Sequence, residues 1–468
     1  MTAPVITTPQ SEPGARAARL LDPEHRALVL GVVGVVVAVA FEAIAVATAM
    51  PVAAKELGGL RSYGLAFSAF LTTSLLGMVA AGVAADRRGP VRPFLAASAV
   101  FAAGLLLAGV APNMTVLVLA RAVQGLGAGL NIVALYVVVA RAFPADLRPR
   151  VFSAIASGWV LPSLLGPPVA GFLADQVSWR WVFLGVLPLL LGATLLVRPH
   201  LAGLDTPAEQ PAGGAPGRTG GRQRLRLAVL AALGAGLVQY AGQATGRAGV
   251  ALALAAAGAV LLVVGVPRLL PADTFRLRRG LPTAVALRGL LAGGFFGAEA
   301  FLPLMLVEHR GLATTWAGAS LTGAALTWTA GSWLQGRPGL RVPRTRLVTV
   351  GVALVLVGVA LAALATAEPV PVWTAAIGWA VAGLGMGLGL TSLSVIVLEL
   401  SPEHEQGANS SALQVSDALG SILLMSAGGA LAAAGDLATA RPYLLIDLVM
   451  GLTLLVATVA GPRVRDTR

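Results

Sequence analysis

Three acidic residues and one arginine interrupt long apolar stretches of the sequence, and their side chains are of the types that carry or steer protons. They are Glu42, Arg121, Glu299 and Asp417. An ionisable group within a membrane helix is costly, so such a residue is a functional candidate by default. Apolar surroundings favour the neutral form of a carboxylate, and a nearby guanidinium favours its charged form. We predict that these four residues take part in proton coupling, with Glu42 as the first candidate.

Depth estimates place Glu42 beside Arg121. At 1.5 Å per residue, Glu42 lies roughly 13 Å below the outer end of its helix, and Arg121 lies roughly 12 Å below the same surface. Glu299 lies roughly 13 Å below the outer end of its own helix. The alternative for the first two residues is a static ion pair, and for Glu299 and Asp417 it is substrate binding or solvation of a cavity. Arg288 is shallower, and we interpret it as an anchor near the inner face.

The elements that position these residues are membrane helices. Hydrophobic residues make up 57% of the 468 residues and charged residues only 12%, which is about half the charged share of a soluble domain. Apolar stretches of about 20 residues, long enough to cross a bilayer, recur along the chain. The sequence predicts an all-α polytopic membrane protein with fourteen transmembrane helices, at 27–50, 64–84, 93–111, 114–140, 151–174, 180–197, 227–243, 249–266, 283–307, 314–335, 346–366, 372–398, 408–433 and 442–461.

The arginines indicate the orientation. Most of the 33 basic residues lie in the segments that share a side with the two termini, so the positive-inside rule predicts that both termini are cytoplasmic. The net charge of +12 thus reflects membrane orientation, and we expect no nucleic-acid partner. The predicted organisation is a tail (1–26), a six-helix bundle (27–197), a Gly/Pro-rich linker (198–226), two inserted helices (227–266), a linker (267–282), a second six-helix bundle (283–461) and a tail (462–468).

An internal repeat supports two related halves. "RAVQGLGAGL" at 121–130 recurs as "WAVAGLGMGL" at 379–388, and such repeats are typical of transporters. The glycines resemble a dinucleotide-binding loop, but that loop must follow a strand, and here they lie inside an apolar helix. They are better explained as small faces for close helix packing. Arg121 heads the first copy and Trp379 heads the second, where we expect the indole to fill space.

Three motifs resemble those of the major facilitator superfamily, within it the fourteen-helix drug:proton antiporters. The helix-4 stretch "RAVQGLGAG" matches at Arg121, Gln124 and Gly125. "GVAADRRGPVR" at 82–92 is similar to the loop motif between helices 2 and 3 and matches it at Gly82, Asp86, Arg87 and Gly89. Pro90 stands in place of a basic residue, and Arg92 follows two residues later. "PSLLGPPVAG" at 162–171 is similar to the helix-5 motif of antiporters, and the residues assigned to that motif are Gly158, Pro162, Gly166, Pro167 and Gly171.

The resemblance implies two bundles that rock about a central cavity. It implies a role in proton transfer for Arg121, an association with export for the helix-5 motif and a conformational latch at 82–92. The acidic segment 399–407 faces the Arg-rich segment 337–346 and could form a second latch, or both could be solvated.

Polar and aromatic residues within helices are candidates for a substrate cavity. They are Gln124, Asn131, Trp159, Phe295, Trp328, Asn409 and Gln414. Hydrogen bonds between helices are the alternative for Asn131, Asn409 and Gln414, and packing against lipid is the alternative for the three aromatic residues.

The function predicted from these features is proton-coupled export of small amphipathic compounds across the plasma membrane of a bacterium, by a monomer. Export of a lipid or secondary metabolite, uptake by symport, and a channel or scaffold remain alternatives. The chain has no cysteine, and its four histidines lie at predicted helix ends or loops, so we expect no metal site and no cofactor. No phosphate-binding loop is present, and an enzyme is not predicted.

Overall fold

The computed structural model describes residues 25–144, 157–201, 218–241, 248–335, 342–401 and 406–465, with the isolated residues 22, 147, 151, 154 and 155. In this part of the chain fourteen helices follow one another: α1 Arg26–Glu56, α2 Tyr63–Arg88, α3 Val91–Gly109, α4 Met114–Ala142, α5 Val160–Gln176, α6 Trp181–Leu184 with Val186–Val197, α7 Arg218–Ala241, α8 Ala248–Gly265, α9 Leu281–Leu304, α10 Thr314–Gln335, α11 Arg344–Leu364, α12 Trp373–Leu400, α13 Gln406–Ala434 and α14 Arg441–Ala460.

The predicted all-α architecture with fourteen helices is confirmed. Eleven candidate spans are long and apolar enough to cross a membrane within the described residues. Among the rest, α7 begins at Arg218, inside the segment that the sequence analysis assigns to a linker. Its first residues, "RTGGRQRLR", are polar, so hydropathy does not detect them, although arginine and glutamine are good helix formers.

The helices form two bundles with the same internal arrangement. In α1–α6, α4 lies between α2 and α3, and α1 packs on α5 and α6. In α9–α14, α12 lies between α10 and α11, and α9 packs on α13 and α14. We call the end that holds the start of α1 and the end of α14 the termini end, and the opposite end the distal end.

The repeated glycines explain why both halves adopt this arrangement. A Cβ atom on Gly125 or Gly129 of α4 would overlap with backbone carbonyl groups of α2. A Cβ atom on Gly383 or Gly387 of α12 would overlap with backbone carbonyl groups of α10 in the same way. The glycines therefore set the close approach of the central helix in each bundle, as expected for small-residue packing in membranes.

One hydrogen bond is duplicated at this contact. Thr73 Oγ1 of α2 donates to Ala122 O of α4 at 2.6 Å, and Thr327 Oγ1 of α10 donates to Ala380 O of α12 at 2.6 Å. Both pairs occupy the same positions of the repeat. The repeat is therefore visible both in the sequence and in equivalent hydrogen bonds of the two bundles.

Replacing Thr327 by valine is expected to lower the free energy of unfolding by about 0.6 to 1 kcal/mol, because one hydrogen bond between membrane helices is lost. The measurement is reversible unfolding in mixed micelles. Thr329→Val is the matched control, since Thr329 Oγ1 donates only to Ala325 O of its own helix. Equal losses in the two variants would contradict a stabilising role for the bond between α10 and α12.

The inserted helices α7 and α8 form a hairpin that contacts both bundles. Its two helices approach closely where Gly234 faces Gly258. Gln239 of α7 donates to Thr72 Oγ1 of α2 at 3.1 Å. A separate apolar cluster joins Ala231 of the hairpin to residues of α2 and α13, namely Leu75, Val415 and Leu419. The insert therefore lies along the seam between α2 and α13.

Candidate functional site

A buried ion pair joins α1 to α4. Arg121 Nη1 donates to Glu42 Oε1, and the two side chains are 2% and 0% exposed. Arg121 also donates to Gln124 Oε1 at 2.8 Å and to Ala66 O at 3.1 Å. Its guanidinium carbon lies 4.3 Å from the centre of the Phe70 ring. The contact between Glu42 and Arg121 agrees with the depth estimate from the sequence.

The second oxygen of Glu42 is the unusual atom of this pair. Glu42 Oε2 is buried and has no hydrogen-bond partner among the described residues. A buried acceptor without a donor is costly when the group is charged. This oxygen is the one atom of the carboxylate that a proton could occupy without displacing the hydrogen bond from Arg121.

The second bundle has a different donor at the equivalent position. Trp379 is fully buried, and its Nε1 donates to Glu299 Oε1 at 3.5 Å. Its indole stacks on Phe295 with the ring centres 5.0 Å apart. Trp379 therefore fills space, as the sequence predicts, and it also contacts the carboxylate of Glu299.

The two halves thus present one carboxylate each to the same position of the repeat. In the first half the partner is Arg121, a cation, and in the second half it is Trp379, a neutral donor. A cation stabilises an ionised carboxylate more strongly than a neutral hydrogen-bond donor does. The two carboxylates are therefore set up to differ in how easily each binds a proton.

Asp417 belongs to a second ion pair, with Arg288 of α9. Arg288 Nε donates to Asp417 Oδ2 at 2.7 Å, and Nη1 donates to Leu390 O at 3.1 Å and Ser394 Oγ at 3.0 Å. Gln414 Oε1 lies 3.5 Å from Nη2. Arg288 is 9% exposed, so the interpretation as a snorkelling anchor is wrong. Depth alone does not reveal this pair, because the pairing depends on which way each helix faces.

The structure brings only some of the predicted cavity residues together. Phe295 and Trp328 meet edge to face, with ring centres 5.6 Å apart, beside Trp379. Gln124 and Asn131 are completely buried within the first bundle, and Asn131 Oδ1 accepts from Ser98 at 3.2 Å.

The remaining three predicted cavity residues lie elsewhere. Trp159 is exposed just before α5. Asn409 donates to Ser401 Oγ at 3.0 Å, and Gln414 is exposed near the Arg288–Asp417 pair. For Asn131 and Asn409 the structure agrees with the alternative of a structural hydrogen bond.

The predicted latch is only partly described. Gly82, Asp86 and Arg87 lie on α2, which extends to Arg88, and their side chains lie outside the described residues. Gly89 turns the chain between α2 and α3 with φ +77°, a conformation that favours glycine, and Arg92 is exposed.

At the second predicted latch a single ion pair is described. Arg344 Nε lies 3.5 Å from Glu399 Oε1. Both side chains are exposed, so this pair is expected to contribute little to stability.

The helix-5 motif lies where the bundles meet. A Cβ atom on Gly171 would lie 2.5 Å from Thr315 Cα of α10, and a Cβ atom on Gly318 of α10 would lie 2.7 Å from Pro167 O. Gly166 instead faces Ile44 of α1. The other two motif residues, Gly158 and Pro162, are buried. Gly171 of the motif therefore permits α5 to approach the opposite bundle, whereas a Cβ atom at Gly166 would make only an ordinary contact with α1.

The distal end is closed by contacts between the bundles. Tyr63 Oη donates to Ala300 O at 2.7 Å, and Asp175 Oδ2 accepts from Thr315 N at 2.8 Å and from its Oγ1 at 2.7 Å. Lys55 Nζ lies 3.5 Å from one carboxylate oxygen of the second bundle, Glu308 Oε1. In the described part of the chain, all hydrogen bonds and ion pairs that join α1–α6 directly to α9–α14 lie at this end.

Comparisons with known proteins agree with this architecture. The Multidrug transporter protein MdtP of Bacillus subtilis (strain 168) is 31% identical over 175 residues, which cover 37% of this chain and 32% of that protein. Multidrug resistance protein 3 of the same organism is 28% identical over 179 residues, which cover 38% of this chain and 35% of that protein. The MFS-type transporter phomT of Diaporthe leptostromiformis is 27% identical over 329 residues, which cover 64% of this chain and 53% of that protein. The matched segments span about a third of the two Bacillus proteins.

Solved structures show the same fold. A POT family transporter in complex with a thioalcohol-conjugated peptide superposes with a TM-score of 0.69 at 14% identity, covering 93% of this chain and 96% of that chain. A mutant nucleoside transporter superposes with a TM-score of 0.64 at 12% identity, and the superposition covers 94% of this chain and 100% of that chain. The sequence profile of the Major Facilitator Superfamily matches residues 30–371. The chain therefore belongs to the Major Facilitator Superfamily.

Proposed function

We propose that this transporter exports small amphipathic compounds in exchange for protons, by alternating access. The observation that carries the proposal is the buried pair of Glu42 and Arg121, with one carboxylate oxygen left without a donor. A charge inside a membrane protein is retained mainly where it serves transport. Export of drugs is supported by relatives named as multidrug transporters, although they match over only part of their length.

The proposed orientation assigns each end of the protein to one side of the membrane in the export cycle. The distribution of arginines favours a cytoplasmic termini end, so the closed distal end faces outward. In this state the chain accepts cargo from the cytoplasm. Rocking of the bundles then opens the distal contacts, releases the cargo and admits a proton, which Glu42 carries inward as the bundles return.

The acidic residues favour neutral or cationic cargo by charge, and Arg121 weakens that preference. Hydrolysis of a nucleotide is not required, since a proton gradient supplies the energy. Glu299 and Asp417 are the second and third candidates for carrying a proton, and each has a donor partner that an arriving substrate could displace.

The test is substrate-triggered proton movement in proteoliposomes with a trapped pH indicator and a panel of amphipathic compounds. Glu42→Gln is expected to reduce this flux to the level of empty liposomes, because the amide cannot carry a proton. Glu368→Gln is the matched control, since Glu368 is exposed in a connecting segment, and it should behave like the parent. Flux that survives Glu42→Gln would move the carrier role to Glu299 or Asp417. Absence of flux in the folded parent with every compound would reject proton-coupled export of this class.

A further inference from the structure

One carboxylate within a membrane helix has no role in the site described above. Asp447 lies on α14, six residues after Arg441, which places it about 9 Å below the distal end at 1.5 Å per residue. It lines a small cavity between α9, α11, α12 and α14. The other walls include Phe301, Trp379 and Tyr443. The cavity is lined by residues of the second bundle, and its wall residue Phe301 also packs on Tyr63 of the first bundle, with ring centres 5.6 Å apart.

Asp447 differs from the other three acidic residues in having no partner. Glu42, Glu299 and Asp417 each accept a hydrogen bond from a neighbouring side chain. In the described part of the chain, no hydrogen bond or ion pair involves Asp447. An ionised carboxylate without a cation or donor is costly in apolar surroundings, whereas a carboxyl group that holds its proton is far less so.

The cavity connects Asp447 with the carboxylate of α9 through one side chain. Trp379 lines the cavity beside Asp447 and donates its Nε1 to Glu299 Oε1. The cavity holds about 10 Å³, which is roughly the space for one water molecule. A charge change at Asp447 or Glu299 therefore acts on the same indole ring.

Two polar side chains lie between this cavity and the distal surface. Tyr443 lines the cavity one turn closer to the distal end, and its ring stacks with His309 at 6.1 Å between centres. Among the elements around the cavity, α11 and α12 contribute Ala362 and Trp379, which do not titrate. The titratable groups that α9, its distal extension and α14 carry besides Asp447 are Arg288, Glu299, Glu308, His309, Arg441 and Tyr443, and Tyr63 of α2 packs on the Phe301 wall of the cavity.

We propose that Asp447 is a further proton-binding carboxyl group of the C-terminal bundle, besides the candidates Glu299 and Asp417, which exchanges its proton with the distal side and acts on Glu299 through Trp379. In the release step only the O–H bond of the carboxyl group breaks, and the proton passes to a water molecule and then to the distal solution. The proposal rests on the proposed proton-coupled export and adds one protonation site to it.

The first test is labelling of the parent chain in proteoliposomes with dicyclohexylcarbodiimide, a hydrophobic reagent that modifies protonated carboxyl groups. Peptide mass spectrometry then identifies each modified residue. Asp447 is expected to be modified at neutral pH, and its modification should fall as the pH is raised. Asp436, an exposed residue of the distal loop, is the internal control and should stay unmodified. Absence of modification at Asp447 in a sample in which Glu299 is modified would overturn the proposal.

The second test compares the number of protons moved per substrate molecule in Asp447→Asn, Asp447→Glu and the parent. The asparagine variant is expected to move one proton fewer, and the glutamate variant should restore the parent value. An unchanged ratio in Asp447→Asn would overturn the proposal even if Asp447 is labelled. Labelling is independent of transport, so a parent chain without any proton flux would reject the proposed function, while the labelling result would still decide whether Asp447 binds a proton.

Discussion

Replacing Arg121 by glutamine is expected to lower the free energy of unfolding by about 3 to 5 kcal/mol, because the change leaves a buried carboxylate without its cation. Glu42 is completely buried, and Arg121 is the one cationic group that contacts it in the described part of the chain. Removing Arg121 also removes donors from Gln124 Oε1 and Ala66 O. The measurement is reversible unfolding in mixed micelles.

The double variant Glu42→Gln/Arg121→Gln separates structure from function. It contains no buried charge at this site, and its two amides can hydrogen-bond to each other, so most of the lost stability should return. Replacement of a complete buried ion pair is often neutral for stability. Substrate-triggered proton flux should nevertheless stay at the background level, because neither amide carries a proton. A double variant that transports protons like the parent would show that the pair is static and structural.

Replacing Gly64 by leucine is expected to abolish transport by preventing closure of the distal end. A Cβ atom on Gly64 would lie 2.5 Å from Gly429 Cα and 3.3 Å from Gly429 N. Both are backbone atoms of α13, so the two bundles must separate to admit a side chain. We expect the variant to fold, because each bundle keeps its own contacts, and to remain open at the distal end.

The absence of cysteine from the sequence permits a clean measurement of this effect. Thr48 is completely buried at the distal contact, where Gly318 faces its side chain. A Thr48→Cys reporter should be protected from a membrane-impermeant maleimide in the parent and react several-fold faster together with Gly64→Leu. Gly192→Leu is the matched control, since Gly192 is exposed on α6 and no other atom would lie within 4 Å of its Cβ. Equal protection in both backgrounds, with transport intact, would refute the role of Gly64.

The sequence predicts the fold well because the features that determine it are local or repeated. Apolar stretches define the helices, and the repeated glycines predict the close contact of the central helix in each bundle. The contact of Glu42 with Arg121 is predictable because the two residues lie at nearly the same depth below the outer surface. Fourteen helices therefore follow from residue types and spacing alone.

The parts of the site that were not predicted depend on helix rotation and on side-chain detail. Arg288 and Asp417 pair because α9 and α13 face each other, which depth does not specify. The sequence predicts a packing role for Trp379 because an indole is mostly apolar. Its one hydrogen-bond donor, Nε1, gains a partner only because Glu299 lies beside it. Asp447 is visible in the sequence as an acidic residue in an apolar helix, but its cavity depends on four helices that are distant in the chain.

The hairpin of α7 and α8 has a consequence for the membrane around the protein. If the two bundles rock as proposed, the apolar surface that joins Ala231 to Leu75 and Leu419 separates and meets lipid tails instead. Lipid tails are as apolar as these side chains, so the exchange costs packing contacts and little hydrophobic free energy. Lipid acyl chains then contact the apolar side chains of α2 and α13 in place of the hairpin. We expect the transport rate to depend on the length and unsaturation of the surrounding lipids.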